Sequence, residues 1–283
     1  MKVILGESKR AVWPDIKSDV AAAKKDAFLF GKLAKQAELI FKSLRHERYL
    51  TDEVLSQLRT LVNYRCQAAQ KYIEVGECQG AFYQYSCAAR HLYEYVSVCI
   101  EERQGRGKNR GAVFSPTDLL LEAAACRTQA ICLCRRMPEN EATLAAELSY
   151  KSKLLMFMRN EFKLFRNPQI FNELTAARRE AARLFDRLGD HRNACYQYDY
   201  LMHLYVEAAI ESNDHRLLAD ALICAENVKR TYGLAGLNEL RFVRSMYTAK
   251  EGCKTLAQGK EKNRYLRLAE EFKQIELQLK SKG

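Results

Sequence analysis

Two stretches of this chain, 113 residues apart, spell nearly the same thing. Gly76–Tyr93 reads GECQGAFYQYSCAARHLY, and Gly189–Tyr205 reads GDHRNACYQYDYLMHLY. Both begin Gly-acid-x-x-x-Ala-x-Tyr-Gln-Tyr and both run on to His-Leu-Tyr. Such a duplication is either two catalytic sites or two copies of one piece of architecture. The residues before each glycine favour architecture. Ala68, Ala69 and Tyr72 precede Gly76 as Ala181, Ala182 and Phe185 precede Gly189. Two antiparallel helices approach closely only where small residues face one another, and an aromatic one turn away fills the wedge where they diverge. Glycine allows the tight turn between them, and the acid after it suits the start of the next helix. On this reading Ala69, Tyr72, Gly76, Ala81 and Tyr85 in one copy, and Ala182, Phe185, Gly189, Ala194 and Tyr198 in the other, are packing positions. The two tyrosines are then not catalysts.

Breakers elsewhere are sparse, with four prolines and thirteen glycines in 283 residues, so long stretches run uninterrupted as helices. No segment alternates apolar and polar residues as a strand would. Residues 1–16 read as an irregular arm, and 17–283 as one α-helical repeat domain. Helical pattern is expected over about 17–48, then from the cap Thr51 to Gly76, over 79–102, and from Ser115-Pro116-Thr117-Asp118 to 136. Further helices are expected at 139–165, 169–188, 191–211, 214–232, 236–257 and 262–280, about ten in all. Between them, 103–113 reads as a flexible basic loop, because ERQGRGKNRGAV has glycine and arginine but no apolar periodicity. A weaker third copy, Ala130, Leu133, Met137, Ala142 and Ala146, lacks the glycine and both aromatics.

The spacing from Ala69 through Tyr72, Gly76 and Ala81 to Tyr85 resembles the tetratricopeptide repeat, and Ala88 matches that family's last small position; the second copy departs there with Leu201. The 113-residue separation is no multiple of the family's 34. Long, irregular pairs of this kind are more similar to the SNAP-type branch of the superfamily. RCQAAQ at Arg65–Gln70, CAARHL at Cys87–Leu92 and LLLEAAACRTQA at Leu119–Ala130 add a weaker resemblance to the SNAP-like family of the 40-kDa huntingtin-associated protein. The resemblance implies an all-α fold, a right-handed α-solenoid of antiparallel helix pairs, and an assembly role in trafficking or a scaffold complex.

The formal charge of +11 favours acidic partners: a protein surface, nucleic acid or an anionic membrane face. The ten cysteines are scattered and MKVILGESKR reads as no leader, so reduced thiols in the cytoplasm or nucleus are expected. The apolar cluster LLMFM at Leu154–Met158 is too short to span a membrane. Cys87 and His91 lie one turn apart, and Cys132 and Cys134 flank a leucine, but neither arrangement has metal-ligand spacing. The expectation is core cysteines, a partly exposed His91, and neither metal nor cofactor. Gly105-Arg106-Gly107-Lys108 is followed by Asn109, where a phosphate loop needs a hydroxyl. No nucleophile elbow or RNA-module motif occurs. A non-enzymatic adaptor or structural subunit, held by a larger acidic or helical-repeat protein, is therefore expected. A basic protein gripping RNA or DNA non-specifically is the alternative.

Two further features bear on partners. If the first helix of each pair lines the concave side, as in tetratricopeptide proteins, Asn63 and Gln70 face inward, as do Arg179 and Arg183. Two arginines one turn apart can take a carboxylate or phosphate by paired hydrogen bonds. At the C-terminus, Tyr265, Leu268, Phe272, Ile275 and Leu279 form a 3-4-3-4 stripe that must be buried, either on the last helix pair or on a partner.

Overall fold

A computed structural model describes residues 16–47, 52–106, 116–162, 167–212, 214, 216–236 and 250, and isolated helical residues between 262 and 277. Among them are eight helices and no strand: α1 (Ile16–Glu47), α2 (Asp52–Glu74), α3 (Cys78–Arg106), α4 (Pro116–Arg136), α5 (Glu141–Glu161), α6 (Pro168–Arg187), α7 (His191–Ser212) and α8 (Arg216–Leu234). Their ends fall close to those expected from the breakers. The exception is α3, which continues through Glu101, Glu102, Arg103 and Gln104 to Arg106. The first four residues of the expected loop, Arg103 to Arg106, are helical, although Gly105 is a weak helix former. The rest of that loop, 107–113, lies outside the described residues. So do the arm up to residue 15, the caps Thr51 and Ser115, and the apolar stripe of the last helix. The described residues between 262 and 277, including Leu266 and Leu277, are helical and exposed.

Where the sequence suggests one domain, the helices group into two compact units, Met1–Ser115 and Pro116–Gly283. In the first, α1 packs on α2 and α2 on α3. Its interior holds Ala27, Ala34 and Phe41 of α1, Leu58, Leu61, Ala68 and Ala69 of α2, and Ala81, Ala88 and Leu92 of α3. In the second, each helix from α4 to α8 packs on the next. There Ala182 sits in a core with Ala194, Tyr198, Leu201, Met202, Tyr205, Leu218 and Val228.

The α2–α3 and α6–α7 turns are the same object. Gly76 and Gly189 have φ of 74° and 76°. Glu77 donates its backbone N–H to Tyr72 at 2.8 Å and Gly76 to Ile73 at 3.0 Å; Asp190 donates to Phe185 at 2.9 Å and Gly189 to Asp186 at 3.1 Å. This paired closure ties up the last carbonyls of one helix with a left-handed residue and turns the chain into the next. Ala69, Ala81, Ala182 and Ala194 are all fully buried, Tyr198 is buried, and Tyr72, Tyr85 and Phe185 are half-buried. One close approach was not expected: a Cβ on Gly80 would lie 2.7–3.0 Å from the Tyr72 ring, so that ring rests on bare backbone.

The α4–α5 pair occupies the interval between the copies. Its left-handed turn residue is Glu139, not glycine, with φ of 60°. The register expected for the weak copy is displaced, since Ala142 is exposed and Ala145 is the buried alanine. Across this pair a buried arginine of α4 meets a buried glutamate of α5.

Candidate functional site: buried arginines and the faces above them

Three residues before its first repeat alanine, each pair carries an arginine that the fold buries: Arg65 before Ala68, Arg127 before Ala130 and Arg178 before Ala181. Each reaches across to the second helix of its pair. Arg65 Nη1 donates to Gln84 Oε1 at 2.8 Å, and Arg178 Nη1 to Gln197 Oε1 at 2.9 Å. Between them, Arg127 Nη1 meets Glu147 Oε2 at 2.5 Å. The glutamine inside Tyr-Gln-Tyr is therefore the second half of a clasp, which explains why that tripeptide occurs twice.

The three clasps satisfy their charge differently. Arg65 Nη2 also pairs with Glu38 Oε2 of α1 at 2.6 Å, and His91 Nε2 stands 3.6 Å from the same oxygen. Burial acts against the Glu38 carboxylate, but the hydrogen bond from Lys42 and the charges of His91, Lys42 and Arg65 hold it below its usual range. Arg127 finds its carboxylate in Glu147. Arg178 has a neutral amide instead, and Gln197 passes the chain on to Ser149 Oγ at 2.9 Å. Burial pulls Arg178 down to about 10, against the opposing pull of Tyr200 and Asp199.

Over each guanidinium lies a tyrosine of the second helix. The ring centroids of Tyr83, Tyr150 and Tyr200 are 5.8, 5.0 and 4.3 Å from Arg65, Arg127 and Arg178. All three tyrosines are about half exposed. A buried cation beneath an aromatic face both attracts the ring and restricts it. The motif thus sets a half-exposed tyrosine on the first unit, Tyr83, and two on the second, Tyr150 and Tyr200.

The residues expected to bind a partner are placed as follows. Asn63 and Gln70 are exposed on α2 in the first unit, and Asn63 Oδ1 accepts from Gln67. Arg179 and Arg183 are on α6 in the second unit. Both are exposed; Arg179 donates to Tyr205 Oη and lies 5.8 Å from that ring. Arg183 lines an open cleft of about 510 Å³ with Glu141, Leu144, Glu180, Leu184, Asp186 and Arg187. Most charges of that cleft are matched locally, Arg187 with Glu141 at 2.8 Å and Glu180 with Arg135 at 2.6 Å. Asp186 accepts from Arg230 and His191, which hold its carboxyl below the usual range.

Two expectations about thiols and histidine are corrected. His91 is buried, because Phe41 packs edge-on against it and Glu38 lies 3.6 Å away, both from α1; burial lowers it to about 4. Cys132 is exposed, because it lies on the face of α4 opposite Ile131 and Cys134. Burial pushes the Cys134 and Cys224 thiols up to about 11 and about 12, far from reactive thiolates. Among the described residues no His, Cys, Asp and Glu cluster could hold a metal ion, and no helix is long and apolar enough to cross a membrane.

The fold is thus an all-α architecture of consecutive helix pairs with a repeated internal clasp. No family model matches the chain, and no curated protein matches it. Solved structures similar to it include helical-repeat proteins. A circular tandem repeat protein with novel repeat topology and enhanced subunit contact surfaces is 16% identical, with a TM-score of 0.41 over 94% of this chain. The chain spans 62% of that protein's length. BtubC from P. vanneervenii is 14% identical over 95% of this chain and 92% of its own, with a TM-score of 0.38. The de novo designed helical repeat protein DHR64 is 17% identical over 92% and 98%, with a TM-score of 0.31.

Proposed function

We propose that this protein is a non-enzymatic adaptor or structural subunit that binds a larger protein through its helical-repeat surface. The observation that carries this reading is the threefold tyrosine-over-arginine motif. Tyr83, Tyr150 and Tyr200 are large, half-exposed and held from beneath, and ordered tyrosines of this kind are characteristic anchors of protein interfaces. Arg183, Asn63 and Gln70 are polar groups available to the same purpose. The resemblance to SNAP-type proteins extends the reading to a right-handed solenoid of about ten helices, working in the cytoplasm in a trafficking assembly or on a huntingtin-type scaffold. A charge of +11 supports a second reading, non-specific RNA or DNA binding.

The test is capture of partners from the native cell by the tagged chain, with and without nuclease, alongside Tyr83→Ala/Tyr150→Ala/Tyr200→Ala and Arg183→Glu. Arg179 is left intact because its bond to Tyr205 belongs to the fold. One protein recovered near stoichiometry, nuclease-resistant and lost in the triple variant, supports the adaptor reading. Recovery that vanishes with nuclease, together with binding of mixed-sequence RNA that falls steeply with salt, overturns it for the second reading.

A further inference from the structure

The outer face of α1 has a composition unlike that of any other described surface. Between residues 20 and 43 its exposed side chains are Ala21, Ala22, Phe28, Leu29, Gln36, Leu39, Ile40, Ser43 and five lysines, with no acid among them. The two acids of this stretch, Asp26 and Glu38, are partly withdrawn, and Glu38 is turned in to Arg65 at 2.6 Å. Phe28 and Leu39 are 60% and 69% exposed, more than any other large apolar residue described. At about 100° per residue they fall on one side of the helix with Lys25, Lys32 and Gln36, opposite the buried Ala27, Ala34, Ala37 and Phe41.

We infer that this face of α1 is the docking site for an acidic amphipathic helix of a partner protein. The inference rests on the adaptor reading and names the chemistry of its partner. Phe28 with Leu29, and Leu39 with Ile40, make two apolar anchors that are 11 residues apart. That is three helical turns, about 16 Å at 1.5 Å per residue. Lys32 and Lys35 lie between the anchors, so the order along the face is apolar, cationic, apolar. Two of the five lysines are already engaged, Lys24 with Glu77 at 3.1 Å and Lys42 with Glu38 at 2.8 Å. Lys32 Nζ lies 4.6 Å from the Phe28 centroid, so one anchor and one cation form a single patch. A helix laid along α1 meets this pattern with two apolar positions 11 residues apart and carboxylates on the two turns between them. A lipid surface meets it badly. Sinking both anchors into the acyl boundary draws Lys32 and Gln36, in the middle of the face, down with them.

The experiment uses the full chain and a fluorescent 20-residue helical peptide with Leu-Phe pairs 11 residues apart and Glu between them. Its control has Lys in place of each Glu. Anisotropy should show saturable binding of the acidic peptide and none of the basic one. Lys32→Glu/Lys35→Glu should weaken it at least tenfold, and Phe28→Ala/Leu39→Ala likewise, with melting of both variants unchanged. Equal binding of the two peptides, or no effect of either variant, overturns the inference. So does tighter binding to vesicles containing phosphatidylserine that is lost in Phe28→Ala/Leu39→Ala, or self-association lost in the same variant. Failure here is separable from failure of the adaptor reading: a native partner still captured in full by both α1 variants refutes only the α1 site.

Discussion

Arg65 and Arg178 make the same bond to the same residue type across the same helix turn, yet removing them should have different consequences. Arg65→Met leaves Glu38 inside the first unit without its closest cation, and Gln84 Oε1 without a donor. Breaking a buried pair by removing one partner costs about 3–5 kcal/mol. Lys42, 2.8 Å from Glu38, remains, which puts the expected loss at the low end, about 3 kcal/mol. Arg178→Met breaks no ion pair: Asp199 favours the Arg178 cation from a distance and keeps His203 at 3.6 Å. Burial has already lowered Arg178 from 12.5 to about 10, equivalent to roughly 3 kcal/mol of penalty on its charge. Methionine removes that penalty. It forfeits a charged hydrogen bond to Gln197, about 1.5–3 kcal/mol, and the Tyr200 contact, about 1 kcal/mol. The terms nearly cancel, so Arg178→Met should lie within about 1 kcal/mol of the parent. Guanidinium chloride unfolding followed by far-ultraviolet circular dichroism measures both. If Arg178→Met costs as much as Arg65→Met, the carboxylate is not what distinguishes the two clasps, and the reasoning fails.

Replacing Ala69 or Ala182 with Leu should overpack a helix pair by about 1–3 kcal/mol, read from the same denaturation curves. Gly189→Ala should cost about 1–2 kcal/mol from the left-handed backbone alone, since nothing lies within 4 Å of an added Cβ; a thermal melt checks it. Gly80→Ala should additionally shift the Tyr72 ring, visible as a change in near-ultraviolet dichroism. His91 is held neutral, with its folded value near 4 against 6.5 when unfolded, so the unfolded chain takes up the proton first as pH falls. Its contribution is complete above about 6.5 and lost between there and 4, up to roughly 3 kcal/mol. His91→Phe should flatten that part of the stability–pH curve.

Much of the helical frame is legible in the sequence because its signals are local. Glycine followed by an acid, proline just inside a helix start, and alanines at adjoining positions each act within a turn or two, and the described helices, the end of α3 excepted, begin and end close to the expected positions. The structure adds a local signal of the same kind in Asn167, whose side chain accepts from Gln169 and Ile170 just ahead of Pro168. The clasps were harder to see. Arginine three residues before a small residue looks like a solvated charge in a linear reading, and its partner is 19 or 20 residues on, across a turn. The signal was nevertheless present, since Arg65 and Gln84 recur as Arg178 and Gln197 at the repeat's own offset. The pairing of Arg179 with Tyr205 had no such duplicate. Neither did the burial of His91, which depends on α1 folding over it.

The short reach of the clasps has a consequence for how the chain is made. Each closes over 19 or 20 residues, and among the described helices the substantial contacts are between sequence neighbours. Closing so short a loop costs little entropy, and a topology of nearest-neighbour contacts folds fast. A pair such as α2–α3 can lock soon after its second helix leaves the ribosome, without waiting for the C-terminal half. Synthesis at 5–20 residues per second is slow beside helix formation, so the structure can be laid down in the order in which it is translated.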